Sequence, residues 1–259
     1  MRILQTFEAL AAEGKKAVIP YITAGYPDWQ TTGRLLKRLS QAGATIVELG
    51  IPFSDPVADG PVIQKASEIA LSKGINLKLI LEGLKKEPSP LPVVAMGYYN
   101  PILRYGIERF AREAAEAGIG GLIVPDLPPE EAGELREAAE MHGIATTFLI
   151  APTTPRERIA TIAEATTGFL YLVSVKGVTG SDLGEITPIL ERIEEIRGVT
   201  SLPVCVGFGV SKPEDARAIS RYADGVIVGS AVLKALDEGG EEGLISFVRE
   251  IAQAVNGDG

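Results

Sequence analysis

Two carboxylic acids stand 11 residues apart in a segment that otherwise contains mostly apolar residues, glycine and proline. Glu48 lies near the end of the β-branched run 45–49, which is typical of a buried strand. Asp59 follows on a stretch broken by Gly60 and Pro61, which is typical of a loop. Because burial removes the hydration of a carboxylate, we expect the pKa of Glu48 to be raised. One carboxyl group on a rigid strand and another on a loop suit acid–base catalysis.

Each residue also has an ordinary structural interpretation. Glu48 is compatible with a salt bridge at the end of a strand, and Asp59 is compatible with a turn or a helix N-cap. The catalytic interpretation depends on the two residues being brought together.

Two reaction classes are excluded by residue counts. The chain has one histidine, His142, and one cysteine, Cys205. A histidine-based triad and a multi-histidine metal site are therefore both excluded, and a disulfide within the chain is impossible. Cys205 lies in an apolar run and is predicted to be a core thiol, while His142 precedes Gly143 at a predicted helix C-terminus.

Composition sets the class of protein. The net charge of −9 over 259 residues argues against nucleic acid or anionic lipid as the main partner. Apolar runs are too short to span a membrane, and Glu8 and Glu13 do not suit a signal peptide, so we expect a soluble, cytoplasmic protein. Since no linker divides residues 1–259, we expect one domain.

Short apolar strands alternate with helical segments along the whole chain, which predicts a (β/α)8 TIM barrel. An extra N-terminal helix and extra helices after strands two and eight are also predicted. The alternative is a doubly wound open sheet, but no G-x-G-x-x-G turn follows strand one. The predicted strands are 17–23, 45–49, 92–97 with 98–101 continuing it, 121–124, 146–150, 169–174, 204–206 and 225–228. Asp28 is a candidate cap for the helix after strand one, and helix four is predicted over 130–141.

Glycine-containing loops follow strands six, seven and eight, at 174–181, 207–211 and 229–230. Glycines allow backbone N–H groups to approach a ligand, and the helix expected from Ala231 directs its positive end to the same place. Ser230 adds a hydroxyl donor. Glycines after strands often serve only as turn residues. Three successive glycine-containing loops at the C-terminal ends of the strands nevertheless predict a phosphate site. The longer loop from 175 to about 185 is either a lid or a flexible surface loop.

Six motifs carry a resemblance to a known family over residues 15–250: ELGIPFSDPVADGP, PYITAGYP, YNPI, GVTG, GFGVS and VGSA. With them the chain resembles the alpha subunit of tryptophan synthase. The resemblance implies a (β/α)8 barrel and the retro-aldol cleavage of indole-3-glycerol phosphate to indole and glyceraldehyde 3-phosphate.

The resemblance also implies residue roles. Glu48 and Asp59 would be the catalytic carboxyl groups. Tyr171, Thr179 and Phe208 would contact the substrate, with Thr179 on the lid near Asp59. The phosphate would be bound by Gly180, Gly209, Gly229 and Ser230. Lys176 departs from the residues common before GVTG in the family, which bears on lid closure.

The implied partner is a beta subunit that uses pyridoxal phosphate, in an alpha2-beta2 tetramer, whereas this chain would need no cofactor or metal. The loop around Asp55 and the segment near Asn100 would face that subunit. Two other interpretations stay open from the residues: a phosphate-binding barrel isomerase, which would use a cysteine or two aspartates, and a non-enzymatic scaffold.

Overall fold

The fold is built around a ring of parallel strands. The computed structural model describes residues 2–173, 183–207 and 209–257. Its strands are β1 Ala17–Thr23, β2 Val47–Gly50, β3 Val93–Met96, β4 Ile119–Ile123, β5 Ala145–Thr147, β6 Leu149–Ile150, β7 Leu170–Val173, β8 Val204–Gly207 and β9 Gly225–Val228.

The strands pair in the order β5-β4-β3-β2-β1-β9-β8-β7-β6. β5 and β6 are the two halves of the predicted strand five, which bends at Phe148. Its first half pairs with β4 and its second half with β7, so the strand changes partner where the ring closes. The predicted (β/α)8 barrel is confirmed, with strand five divided.

Helices surround the ring. They are α1 Arg2–Ala12, α2 Trp29–Gln41, α3 Pro61–Ser72, α4 Leu77–Lys86, α5 Tyr99–Tyr105, α6 Ile107–Glu116, α7 Gly133–Met141, α8 Arg156–Ala165, α9 Leu183–Arg197, α10 Pro213–Ser220 and α11 Ser230–Asn256. α11 is interrupted at Gly240, whose φ of 63° is left-handed. The extra helices predicted at the N-terminus and after strands two and eight are present as α1, α4 and the second part of α11.

One helix differs from expectation. Residues 98–101 were predicted to continue strand three, but Tyr99 begins α5, which ends at Tyr105 and is followed by Gly106 with a φ of 93°. The Asp126 Oδ1 atom accepts a hydrogen bond of 3.0 Å from the Tyr99 N–H. This cap comes from the end of another strand. Pro101 is tolerated because the N–H groups of a first helical turn have no helical acceptor.

Predicted local features agree with the structure at other positions. Asp28 caps α2 by accepting a hydrogen bond of 2.7 Å from the Thr31 N–H. His142 caps the C-terminus of α7, and its Nε2 atom lies 2.7 Å from the Glu108 Oε1 atom. Cys205 is fully buried in β8. α7 begins at Gly133 rather than at the predicted Glu130.

α1 covers the end of the barrel where the strands begin. Ile3 and Phe7 are buried, and the Phe7 ring lies 5.6 Å from the ring of Phe169, just before β7. The opposite end, where the strands finish, is left for the connecting loops. Within the described ranges, no helix is long and apolar enough to cross a membrane.

Candidate active site

Glu48 lies inside the barrel with its side chain deeply buried. It is the second residue of β2, in register with Tyr21 of β1 and Val94 of β3, and is 2% exposed. Its Oε2 atom has no hydrogen-bond partner among the described residues. Burial, with a contribution from the negative charge of Asp59, raises the pKa of Glu48 to about 8. The acid can therefore hold a proton near neutral pH.

Asp59 lies on the loop 51–60 between β2 and α3. Its backbone carbonyl accepts a hydrogen bond of 2.7 Å from the Gln64 Nε2 atom. Burial raises the pKa of the Asp59 carboxyl, and a hydrogen bond from the Tyr98 side chain opposes that rise. The Tyr98 contact therefore favours the ionised state of Asp59.

Two tyrosines line the interior beside the carboxyl groups. Tyr171 of β7 was expected from the sequence, whereas Tyr21 of β1 was missed. A Cβ atom on Gly207 would overlap the Tyr171 hydroxyl, and one on Gly50 would overlap the Tyr21 hydroxyl. Burial raises the pKa of both phenols well above their ordinary value, so both stay neutral. Tyr21 pairs with Glu48 in the register of β1 and β2, so the two side chains point to the same side of the sheet.

Two of the predicted phosphate loops line the same cavity as Glu48 and Asp59. The cavity has a volume of about 390 Å³. Its lining includes Gly209, with a left-handed φ of 88°, and Gly229 and Ser230 at the start of α11. Gly229 provides no side-chain cap, so the first N–H groups of α11 are available to an anion.

The loop after β8 is anchored by a side chain of α10. Ser211, which also lines the cavity, donates from both its backbone N–H and its hydroxyl to the Asp215 Oδ2 atom, each at 3.0 Å. Asp215 is fully buried on α10. This pair fixes the backbone beside Gly209.

Other lining residues were missed from the sequence. Lys234 lies on α11 one turn after Ser230, and Glu238 follows one turn later, a helical spacing that would have identified them. The remaining lining residues are Ile63, Met96, Val210, Ile227, Ala231, Ala235 and Phe247. All seven are apolar, as expected where an aromatic group binds.

Three predicted site residues, Thr179, Gly180 and Phe208, lie outside the described residues. The predicted lid falls largely on 174–182 and is likewise outside them, while α9 begins at Leu183. No group of three or more His, Cys, Asp or Glu side chains arranged to hold a metal ion occurs in the described part of the chain.

The cavity therefore joins two chemically different ends. One end has a buried acid with a raised pKa and a second carboxyl group, and the other has glycine backbone and a helix N-terminus. Such a site can hold a ligand with a phosphate at one end and an apolar group near an acid at the other.

Comparisons with known proteins agree with this geometry. The family profile for the tryptophan synthase alpha chain matches residues 7–256. The tryptophan synthase alpha chain of Citrifermentans bemidjiense is 47% identical, covering 98% of this chain and 97% of its own. That of Burkholderia lata is 45% identical, covering 100% and 98%.

Solved structures give the same result. A crystal structure of tryptophan synthase from M. tuberculosis in an aminoacrylate-bound form superposes with a TM-score of 0.90 at 38% identity, covering 98% of this chain and 99% of that one. The alpha subunit from Legionella pneumophila str. Paris gives a TM-score of 0.90 at 39% identity, covering 99% of each chain. The chain therefore belongs to the tryptophan synthase alpha chain family, lyases of tryptophan biosynthesis whose known role is the cleavage of indole-3-glycerol phosphate.

Proposed function

We propose that Glu48 and Asp59 are the catalytic carboxyl groups of this cleavage and that the substrate phosphate rests on Gly209, Gly229 and Ser230. One observation carries the proposal: these five residues line one cavity, with the acids and the helix N-terminus facing the same space. A substrate held by its phosphate would place its aromatic part among the apolar lining residues.

The proposed reaction needs a proton on indole C3 and the loss of a proton from the side-chain hydroxyl. Glu48 donates its proton to C3, which gives an indolenine-like cation that accepts the electron pair of the breaking C–C bond. The Glu48 carboxylate then takes the hydroxyl proton as the aldehyde forms, so the acid is regenerated. A pKa of about 8 suits this exchange because both protonation states are accessible near neutral pH.

Asp59 has a different proposed role. Its carboxylate would accept a hydrogen bond from the indole N–H and stabilise the positive charge that develops on the ring. Tyr171 would line the pocket for the indole and glycerol groups. Thr179, Phe208 and Gly180 would complete the substrate and phosphate contacts, as the resemblance implies.

The barrel-isomerase alternative is less well supported. It would use a cysteine or two aspartates. Cys205 is fully buried, and burial raises the pKa of its thiol well above the ordinary value. Asp59 is the only aspartate among the described residues that line the cavity. The paired acids in one cavity favour the cleavage reaction.

The beta subunit of tryptophan synthase is the partner that the family implies. We propose that the two chains form an alpha2-beta2 tetramer, that the partner carries pyridoxal phosphate, and that indole passes to it. The proposed contact face comprises the loop around Asp55 and α5 with Asn100. Apolar side chains exposed there support this, since Val57 is 80% exposed and Leu103 is 51% exposed.

The test is indole release from indole-3-glycerol phosphate by the isolated chain and by the Glu48→Gln variant. The variant should still bind glycerol phosphate but lose cleavage by about 10²–10⁴-fold, as expected for loss of a general acid–base group. Glu137→Gln on the exposed face of α7 is the matched control and should retain full activity. Turnover by Glu48→Gln within about tenfold of the parent chain would show that the assignment is wrong.

A further inference from the structure

The Tyr98 hydroxyl makes two contacts with the loop that carries Asp59. It accepts a hydrogen bond of 3.0 Å from the Ala58 N–H. It also donates a hydrogen bond to the Asp59 carboxyl group. A phenol can do both because its oxygen accepts while its hydrogen donates. The Tyr98 hydroxyl therefore binds both the backbone of the loop, at Ala58, and the side chain of Asp59.

The Tyr98 ring contacts the same loop at its other end. The rings of Phe53 and Tyr98 lie 5.2 Å apart with an interplanar angle of 31°. Phe53 is near the start of the loop, while Ala58 and Asp59 are near its end. Gln64 of α3 adds the hydrogen bond to the Asp59 carbonyl. The loop is thus attached to Tyr98 at both ends and to α3 at its exit.

Tyr98 is itself held by the barrel. It follows β3 and is 4% exposed. On one side, the Gly97 N–H donates a hydrogen bond of 3.0 Å to the Ile123 carbonyl of β4. On the other side, the Tyr99 N–H is bound by Asp126. A side chain fixed between two such backbone contacts can position a neighbouring loop.

From these contacts we infer that Tyr98 is a positioning residue that holds Asp59 at the substrate. This inference rests on the proposed role of Asp59 in the cleavage. Tyr98 acts through Asp59 and the loop backbone, with no direct part in bond breaking.

Several ionisable side chains face the space that contains Asp59. Glu48, Tyr21 and Tyr171 face the same interior, and Lys234 and Glu238 line the cavity further along α11. Burial opposes ionisation of Asp59, and the hydroxyl of Tyr98 favours it. Loss of that hydroxyl should therefore raise the pKa of Asp59 and shift its titration to higher pH.

The test is Tyr98→Phe, which keeps the ring against Phe53 and removes both hydroxyl contacts. We expect kcat for indole release to fall about tenfold, with KM changed by less than about twofold, because a hydrogen bond to a charged group is lost. The acidic limb of the pH profile of kcat should move to higher pH. Tyr99→Phe is the matched control, since Tyr99 is held by its backbone N–H, and it should resemble the parent chain.

A double-mutant cycle separates positioning from general damage to the fold. In an Asp59→Asn background, Tyr98→Phe should have less than about a twofold further effect, because Tyr98 acts through the Asp59 carboxylate. An equal loss in both backgrounds would overturn the inference, as would an unchanged kcat and pH profile in Tyr98→Phe.

A measurement without substrate distinguishes this inference from the proposed function. The carboxyl ¹³C shift of Asp59, followed by NMR, should titrate at higher pH in Tyr98→Phe than in the parent chain. A parent chain that releases no indole would refute the proposed function alone, whereas an unchanged Asp59 titration would refute the contact on which the inference stands.

Discussion

Burial and, next to it, the negative charge of Asp59 raise the pKa of Glu48, although the two acids belong to different elements. Glu48 is fixed on β2, and Asp59 is carried by the loop that follows it. Their carboxyl groups line one cavity, so ionisation of both would place like charges in a poorly hydrated space. The barrel thereby favours a protonated Glu48 beside its partner acid.

Replacement of Asp59 should lower the pKa of Glu48. In Asp59→Asn the repulsion is removed while burial remains, so the Glu48 pKa should fall below about 8 yet stay above its ordinary value of 4.5. The measurement is a ¹³C NMR titration of the Glu48 carboxyl group in both chains. An unchanged titration would show that burial alone raises the pKa.

The stability of the Glu48→Gln variant should depend on pH differently from that of the parent chain. The carboxyl group has a pKa of about 8 in the folded chain and an ordinary value of 4.5, so the folded state binds more protons between these values. The stability of the parent chain should therefore fall as pH rises from 4.5 to about 8. The free energy of unfolding of Glu48→Gln relative to that of the parent chain should therefore increase over that pH range, by on the order of a few kcal/mol.

Urea unfolding at pH 5, 7 and 9 measures this difference. Glu137→Gln removes one carboxyl group from an exposed position of α7 and serves as the control. If the difference in unfolding free energy between Glu48→Gln and the parent chain does not change with pH, Glu48 does not carry a raised pKa in the folded chain.

Substitution of Gly207 by alanine should destabilise the barrel. The new Cβ atom would overlap the Tyr171 hydroxyl, so the ring or the strand must move. Overpacking of this kind costs about 1–3 kcal/mol of unfolding free energy. The Gly133→Ala variant is the control, because a Cβ there meets no atom within 4 Å. Equal stabilities of the two variants in urea unfolding would contradict the close approach of Tyr171.

Ser230→Asp should weaken phosphate binding. An added carboxylate at the start of α11 would occupy the positive end of the helix and repel a phosphate dianion, so the Kd for glycerol phosphate should rise at least about tenfold. Ser246→Asp makes the same charge change at an exposed position of the same helix and should leave the Kd unchanged. Calorimetric titration measures both values, and equal affinities would place the phosphate elsewhere.

Leu103→Asp should weaken binding of the beta subunit. The side chain is exposed on α5, where an added charge would face the proposed contact surface, and we expect at least about tenfold weaker binding. Met141→Asp is the control because Met141 is exposed at the C-terminus of α7, toward the opposite end of the barrel. Indole release by each isolated variant should match that of the parent chain. Loss of partner binding in Met141→Asp alone would put the interface at the other end.

The sequence by itself determined the barrel and the positions of its main chemical groups. Alternation of short apolar strands with amphipathic helices is local, and Glu48, Asp59 and the glycine loops could be placed from it. The caps at Asp28 and His142 were also predictable, because capping depends on residues close in the chain.

The tertiary structure alone decided which residues share the cavity and which loops are held. Strand five divides at Phe148 because its halves pair with different neighbours, and α5 is capped by Asp126 from another strand. Tyr21 lies beside Glu48 through strand register, and Tyr98 contacts Asp59 from the segment between β3 and α5. These contacts join residues far apart in the chain, so neither periodicity nor local propensity encodes them.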